Sequence, residues 1–291
     1  MTRDPAPSAA QGPTFLDRSR GLFTDAELRR LGSATVAIAG VGGVGGRVAE
    51  VLARSGIGNL RLADPDTFSI TNLNRQAAST LDSLGRQKTT VVAELCRSVS
   101  PIVTVDEWSE GVSAGSIDAF VRGADAVVDG TDFTLPSLGL LVARAGSAQH
   151  VPVALGVEVA FGAWHTVFTR PGQFEQLMGL PLDVSPEALD SGEISVPLWR
   201  WVQRVPPYLN ADVFARVARG EIDAPAIAPA VEISAAMLAT DVLQLVLGRR
   251  PATRAPAVHG IDARTGRSWR GRPSLARFML SAKVASWRAR R

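Results

Sequence analysis

The chain has 291 residues, enough for one large domain or two small ones, and its 46% hydrophobic and 20% charged content is typical of globular proteins. One cysteine, Cys96, excludes a disulfide framework and a cysteine-only zinc site, so we expect no zinc and a reducing, cytoplasmic location. The longest apolar candidate, 231–248, is interrupted by Glu232 and Asp241, and the N-terminus lacks the apolar segment of a signal peptide. We therefore expect a core helix there and no membrane partner.

The elements read in chain order alternate between strand and helix. After a disordered tail at 1–16, Thr24 and Glu27 form a capping-box pattern before a short helix. The continuous apolar run at 34–40 predicts a buried parallel strand, and further strands and helices alternate after it. The predicted strands are 34–40, 59–64, 102–108, 124–130 and 151–158, and the predicted helices are 44–56, 85–101, 113–123 and 135–149. This order predicts an α/β, Rossmann-like, mostly parallel sheet with flanking helices over 17–170.

The pattern changes in the second half of the chain. Residues 162–172 indicate an antiparallel strand, and the proline-rich stretch 171–229 predicts an irregular insertion or crossover region. Its segment 196–209 either lines an acceptor pocket or, as we favour, packs into a satellite core. A helix and a hairpin at 230–272 complete the domain. We expect one elaborated domain whose sheet continues into an antiparallel portion.

The C-terminal end is strongly basic. Residues 264–291 carry nine Lys or Arg and no acid, whereas the rest of the chain carries 22 basic and 28 acidic residues. A helix is predicted at 273–291, with an apolar face that docks on the body or on a second subunit. The basic charge favours a solvated surface; a nucleic acid partner is compatible with it but has no other support.

A glycine-rich turn follows the first strand, with Gly40, Gly42, Gly43 and Gly45 in the pattern GxGGxG. Glycines let the backbone approach a phosphate at the N-terminus of the following helix. Asp64 ends the second strand about 20 residues later, where a ribose-binding acid is expected. The sequence therefore predicts a nucleotide site, without specifying the nucleotide.

The residues after Asp64 favour a triphosphate over a dinucleotide. The run "DPDTFSITNLNRQ" at 64–76 supplies more polar groups than a pyrophosphate requires, and Arg75 and Lys88 supply cations. Asp132, in "DGTDF" after a later strand, is placed to hold a metal ion at the same sheet edge. These residues predict a site for a triphosphate and a metal ion.

The segments "GVGGVGG", "DPD", "NLNRQ", "GRQK" and "DGTD" together resemble the ThiF/MoeB/HesA superfamily of adenylyltransferases, which is related to ubiquitin-activating enzymes. The resemblance covers about residues 17–170. It implies adenylation of a carboxylate by ATP–Mg²⁺ with release of pyrophosphate. The implied roles are as follows: ribose at Asp64, phosphates at Asn72, Arg75 and Lys88 with Asp66 and Gln76 nearby, and magnesium at Asp132. The catalytic set implied is Arg75, Lys88, Asp132 and Arg18, the last acting across a homodimer on the partner's triphosphate.

The chain departs from many members of that superfamily because it lacks zinc-binding CxxC pairs and a cysteine in the second half. Cys96 is flanked by apolar helix residues and is expected in the core, not as a nucleophile. The resemblance therefore points to the cysteine-independent branch, in which a nucleophile such as an amine captures the activated carboxyl directly. The substrate is a peptide C-terminus, a small acid or a modified nucleoside. Two alternatives remain, an NAD(P)-dependent oxidoreductase and a non-catalytic nucleotide-binding scaffold.

Overall fold

The computed structural model describes residues 14–289, which form eight strands and eleven α-helices. The strands are β1 (Thr35–Ala39), β2 (Asn59–Ala63), β3 (Thr104–Trp108), β4 (Ala126–Asp129), β5 (Val153–Val159), β6 (Gly162–Phe168), β7 (Val258–Asp262) and β8 (Arg267–Gly271). The helices are α1 (Asp25–Ser33), α2 (Gly43–Arg54), α3 (Lys88–Val99), α4 (Ile117–Val121), α5 (Pro136–Ala148), α6 (Gln173–Met178), α7 (Pro186–Asp190), α8 (Leu198–Val202), α9 (Ala211–Ala218), α10 (Ala228–Val246) and α11 (Leu275–Ala289).

All eight strands belong to one sheet, in the order β3-β2-β1-β4-β5-β6-β7-β8. Strands β1 to β5 pair in parallel, and β5 to β8 continue the sheet in antiparallel pairing. The predicted fold class is confirmed. Since β1 pairs with both β2 and β4, the strand order reverses beside β1, where α/β sheets commonly bind ligands at the carboxyl ends of the strands.

Helices cover both faces of the sheet, which explains the apolar sequences of β1 and β4, whereas β3 at the sheet edge contains Asp106 and Glu107. One core packs α1, α2, α3 and α10 against the sheet, and the other packs α4 and α5 with the helices that follow β6. By length and apolar composition α10 is a candidate membrane span, but half of the candidate window is buried in the protein. It packs on α2, β5 and β6, with Asp241 buried, as a core helix.

Several local predictions are confirmed. Thr24 caps α1, where its hydroxyl accepts from the Glu27 N–H and the Glu27 carboxylate accepts from the Thr24 N–H. Cys96 is fully buried in the core, and burial raises the pKa of its thiol to about 12. The hairpin of β7 and β8 and the C-terminal helix α11 also form as predicted, and residues 290–291 lie outside the described range.

Two predictions about irregular segments need correction. The stretch 171–229 is not simply irregular, because it contains the helices α6 to α9, which have only five to eight residues each. Helices this short show too few turns for a 3.6-residue period to be recognised. The predicted disordered tail, 1–16, lies mostly outside the described residues, but Leu16 is buried against Gly56 and so belongs to the fold.

Candidate functional site

The glycine turn between β1 and α2 is closed by contacts that leave no room for side chains. Gly40 has φ +82°, and a Cβ there would lie 2.4 Å from the Gly130 carbonyl oxygen. A Cβ on Gly45 would lie 1.9 Å from the Gly40 carbonyl oxygen. Gly42 is the N-cap of α2 and provides no side-chain cap for the first amides of the helix. These amides are therefore available to an anion beside the turn.

Asp64 lies immediately after β2 and connects the glycine turn to the polar loop. Its Oδ2 accepts from the Val41 N–H at 2.9 Å, and its Oδ1 accepts from the Asp66 N–H at 2.9 Å. Lys88 begins α3, and its Nζ lies 2.8 Å from Asp66 Oδ2 and 3.8 Å from Asp64 Oδ1. Burial raises the pKa of Asp64, and the Lys88 ammonium opposes this shift. Each Asp64 oxygen retains acceptor capacity for a further donor.

The loop after β2 carries Arg75 and Gln76 to the opposite wall. The Arg75 guanidinium is half-buried and donates to the carbonyl of Thr71 at 3.0 Å and to Asn74 Oδ1 at 2.9 Å. Gln76 is buried against the glycine turn, and its Oε1 has no hydrogen-bond partner among the described residues. A buried acceptor without a donor is costly in a native fold. Gln76 therefore suits a ligand that brings a hydrogen-bond donor.

Carboxylates from the ends of β4 and β5 form the third wall. Asp132 Oδ1 accepts from the N–H and the hydroxyl of Thr134, both at 2.8 Å. Asp129 is buried, and burial raises its pKa although Thr131 donates two hydrogen bonds to it. Burial also raises the pKa of Glu158, where the charge of Asp132 acts in the same direction and that of Arg75 opposes it. Asp129 and Glu158 are functional candidates that the sequence analysis missed.

These walls enclose a cavity of about 540 Å³ at the carboxyl ends of β1, β2, β4 and β5. The predicted residues that line it are Gly40, Gly42, Gly43, Asp64, Asp66, Arg75, Gln76, Lys88 and Asp132. Three others lie elsewhere. Gly45 packs α2 on the turn, buried Asn72 accepts from the Ser69 N–H to stabilise its own loop, and exposed Arg18 does not line the cavity of its own chain. The predicted phosphate contact of Asn72 therefore stays a prediction.

The charges of the lining decide what can bind. Within residues 14–289, seven acidic side chains and two basic ones line the cavity. With all nine groups charged, the lining carries five net negative charges, so a triphosphate alone would be repelled, and a bound divalent cation would lessen this repulsion. Over the same residues, no group of three or more His, Cys, Asp and Glu side chains converges as a metal site. Mg²⁺ is usually held by one or two carboxylates together with substrate phosphates, so the donors present fit a metal that arrives with a nucleotide.

A cover for the cavity comes from the segment after α8. Residues of α9 and of the loop at 220–226 line its outer side, and Asn74 Nδ2 donates to the Ala226 carbonyl at 2.9 Å. Trp201 of α8 is also part of the lining, while Tyr208 instead bonds Asp262 with its hydroxyl. Of the two roles considered for this aromatic segment, Trp201 therefore fulfils both, because it packs in the core and lines the cavity.

Two curated proteins illustrate what this chain is similar to. It is 40% identical over 112 residues to the tRNA threonylcarbamoyladenosine dehydratase of Haemophilus influenzae. The aligned region covers 38% of this chain and 43% of that protein. The chain is 34% identical over 122 residues to the heterocyst protein HesA of Trichormus variabilis. This aligned region covers 40% of this chain and 46% of that protein. The chain thus spans less than half the length of these relatives.

Among solved structures, the fold is similar to that of E. coli MccB in a crystal structure with ATP. The TM-score is 0.64 at 22% identity, over 85% of this chain and 65% of that chain. This likeness supports the architecture of a mixed sheet flanked by helices. The ThiF family matches residues 16–278, a range that contains every residue lining the cavity. The chain belongs to the ThiF family.

Proposed function

We propose that this chain uses ATP and Mg²⁺ to adenylate a carboxylate, forming an acyl-adenylate and pyrophosphate. One observation supports this most strongly. The free amides of the glycine turn, the cations Arg75 and Lys88, and the carboxylates Asp64 and Asp132 all line a single cavity. The amides and cations suit phosphates, while the carboxylates suit ribose hydroxyls and a hard divalent cation.

The reaction that this arrangement serves is a displacement at phosphorus. An oxygen of the substrate carboxylate forms a bond to the α-phosphorus, the bond from that phosphorus to the bridging oxygen breaks, and pyrophosphate leaves. The carboxylate is already ionised, so no side chain has to remove a proton. Arg75 and Lys88 hold and neutralise the phosphates, and Asp132 is the proposed ligand of the magnesium ion, which supplies further charge neutralisation when bound.

The second half of the proposed reaction is direct capture of the acyl group by an amine or a similar nucleophile, which releases AMP. Cys96, the single cysteine of the chain, is fully buried, and the pKa of its thiol is raised to about 12. A thiol in this environment is not a nucleophile at neutral pH. This supports a route without an enzyme thioester.

The proposed substrates follow from the chemistry and from the relatives. MccB has been solved with its partner MccA, and the curated relatives include dehydratases of threonylcarbamoyladenosine in tRNA. A peptide C-terminus or a small acid is our preferred carboxylate, and a modified nucleoside is the alternative. We further propose a cytoplasmic homodimer in which Arg18 of one subunit reaches the triphosphate bound by the other. Arg18 is exposed, as such a role requires.

A pyrophosphate–ATP exchange assay tests the proposal with a panel of N-acetyl amino acids and short peptides. We expect carboxylate-dependent exchange in the wild type and loss of exchange in Arg75→Ala and Asp132→Ala. Arg86→Ala is the matched control, because Arg86 is exposed, pairs with Glu94 and does not line the cavity. Absence of exchange together with absence of ATP binding would contradict the proposed function.

A further inference from the structure

A second, smaller cavity lies beside the cavity of about 540 Å³ that holds the candidate site, which we call the polar cavity. It has a volume of about 60 Å³, which accommodates roughly four water-sized groups, and it shares seven of its fourteen lining residues with the polar cavity. The shared residues include Phe133, Val157 and Trp201. The two spaces therefore lie side by side and share a wall, and we call the smaller one the side cavity.

The side cavity differs sharply from its neighbour in chemistry. Thirteen of its fourteen lining residues are apolar, and Glu158, at the junction with the polar cavity, is the only charged one among the described residues. Its walls come from the end of β5, from α8 with Trp201, and from α9 with Val213 and Phe214. A lining of this kind favours an apolar group and disfavours a polar group, which would lose its hydrogen bonds to water.

The walls are held by contacts outside the cavity, so the space is built into the fold. Trp201 is 6% exposed, its ring lies 6.1 Å from that of Phe133, and its carbonyl accepts from the indole N–H of buried Trp164 at 2.5 Å. Phe214 packs against Phe278 of the basic helix α11, with ring centroids 6.2 Å apart. The C-terminal helix thereby supports the wall that α9 contributes.

We infer that the side cavity receives a compact apolar substituent of the substrate, so that the preferred carboxylates carry a branched aliphatic group close to the carboxyl. This inference rests on the proposed function, because the polar cavity is where the carboxylate meets the nucleotide. The position of Arg75 supports this orientation, because it acts on the charge of Glu158 at the shared wall and so places the phosphates that it holds, and a carboxylate that meets them, beside the side cavity. Burial raises the pKa of Glu158, which lessens its repulsion of that carboxylate.

Two nearly isosteric acids test the inference, N-acetyl-leucine and N-acetyl-asparagine. Isothermal titration into protein saturated with Mg²⁺ and α,β-methylene-ATP measures their affinities independently of turnover. We expect N-acetyl-leucine to bind roughly 10- to 200-fold more tightly. Equal affinities, tighter binding of the asparagine derivative, or no binding of either would overturn the inference. The same titration with a heptapeptide ending in leucine and with one ending in asparagine shows whether the apolar group is carried by a peptide or by a free acid.

A substitution within α9 locates the effect. Val213→Phe fills the side cavity, so we expect the preference for leucine to collapse while affinity for the ATP analogue is unchanged. Asp212→Asn is the matched control, because Asp212 is the exposed neighbour in the same helix and lines neither cavity. A Val213→Phe protein that keeps the full preference would overturn the assignment. Pyrophosphate exchange, measured in parallel, reports separately on the proposed adenylation, so that the two proposals fail distinguishably.

Discussion

Lys88→Met is the substitution whose consequences the geometry defines best. The Lys88 ammonium is 9% exposed, lies 2.8 Å from Asp66 Oδ2 and lines the polar cavity. Asp66 is 66% exposed, so its pair with Lys88 is worth at most about 1 kcal/mol and is readily exchanged for a phosphate. A hydrogen bond to a charged group contributes about 1.5–3 kcal/mol, and its loss corresponds to a roughly 10- to 150-fold weaker Kd for ATP–Mg²⁺.

Isothermal titration with ATP–Mg²⁺ measures this change, with Arg86→Met as the control of equal charge loss outside the cavity.

The Lys88→Met variant also provides a test of how stability depends on pH. With Lys88 removed, the raised pKa of buried Asp64 rises further, so the folded state then favours the protonated carboxyl. We therefore expect its stability deficit to be small below pH 3.8 and to grow as pH rises. Unchanged ATP affinity, or a deficit that shrinks with rising pH, would refute this reasoning.

Three further predictions concern the framework. Gly45→Ala places a Cβ 1.9 Å from the Gly40 carbonyl oxygen and should lower the free energy of unfolding by about 1–3 kcal/mol in urea titration, whereas Gly115→Ala, whose Cβ would meet Ser113 Oγ at an ordinary contact distance of 3.9 Å, should change it little. Cys96 should resist a thiol reagent such as DTNB at pH 8 in the native protein and react after denaturation; rapid native labelling would contradict its burial. Asp241→Ala removes the acceptor of the His165 ring at 2.5 Å and of the Ala252 N–H at 3.1 Å, so it should lower the free energy of unfolding in urea titration by about 1–3 kcal/mol for each donor left unpaired, without weakening ATP binding; a loss of affinity would place it in the site.

Much of the fold could be predicted because the central strands β1 and β4 are apolar runs that end at a glycine or an acid, and because strands alternate with helices along the chain. Val36 to Ala39 are all fully buried, which explains why that run contains no polar residue. The helices α6 to α9 could not be predicted, since none exceeds eight residues and their positions depend on the cavity and cores they cover. Here tertiary contacts determine helices that local sequence leaves undefined.

The candidate site was predictable where a motif fixes the position of a residue and less so where the sheet order does. Asp64 and Lys88 follow from the glycine turn and the polar loop. Asp129 belongs to the motif "DGTD" without a role assigned to it, and Glu158 stands as one acid near the end of β5, which reaches the same wall as Asp132 once β4 and β5 pair. Asn72 shows the converse, because its place in the motif suggests a ligand contact whereas its side chain stabilises the turn at Ser69.

The most direct measurement of the central claim follows the carboxylate oxygen. N-acetyl-leucine labelled with oxygen-18 in its carboxyl group is incubated with the protein, ATP–Mg²⁺ and hydroxylamine as the acceptor. If the carboxylate forms a bond to the α-phosphorus, capture by hydroxylamine leaves one labelled oxygen on the released AMP, and mass spectrometry detects it. Unlabelled AMP, or ADP as the nucleotide product, would contradict adenylation of the carboxylate.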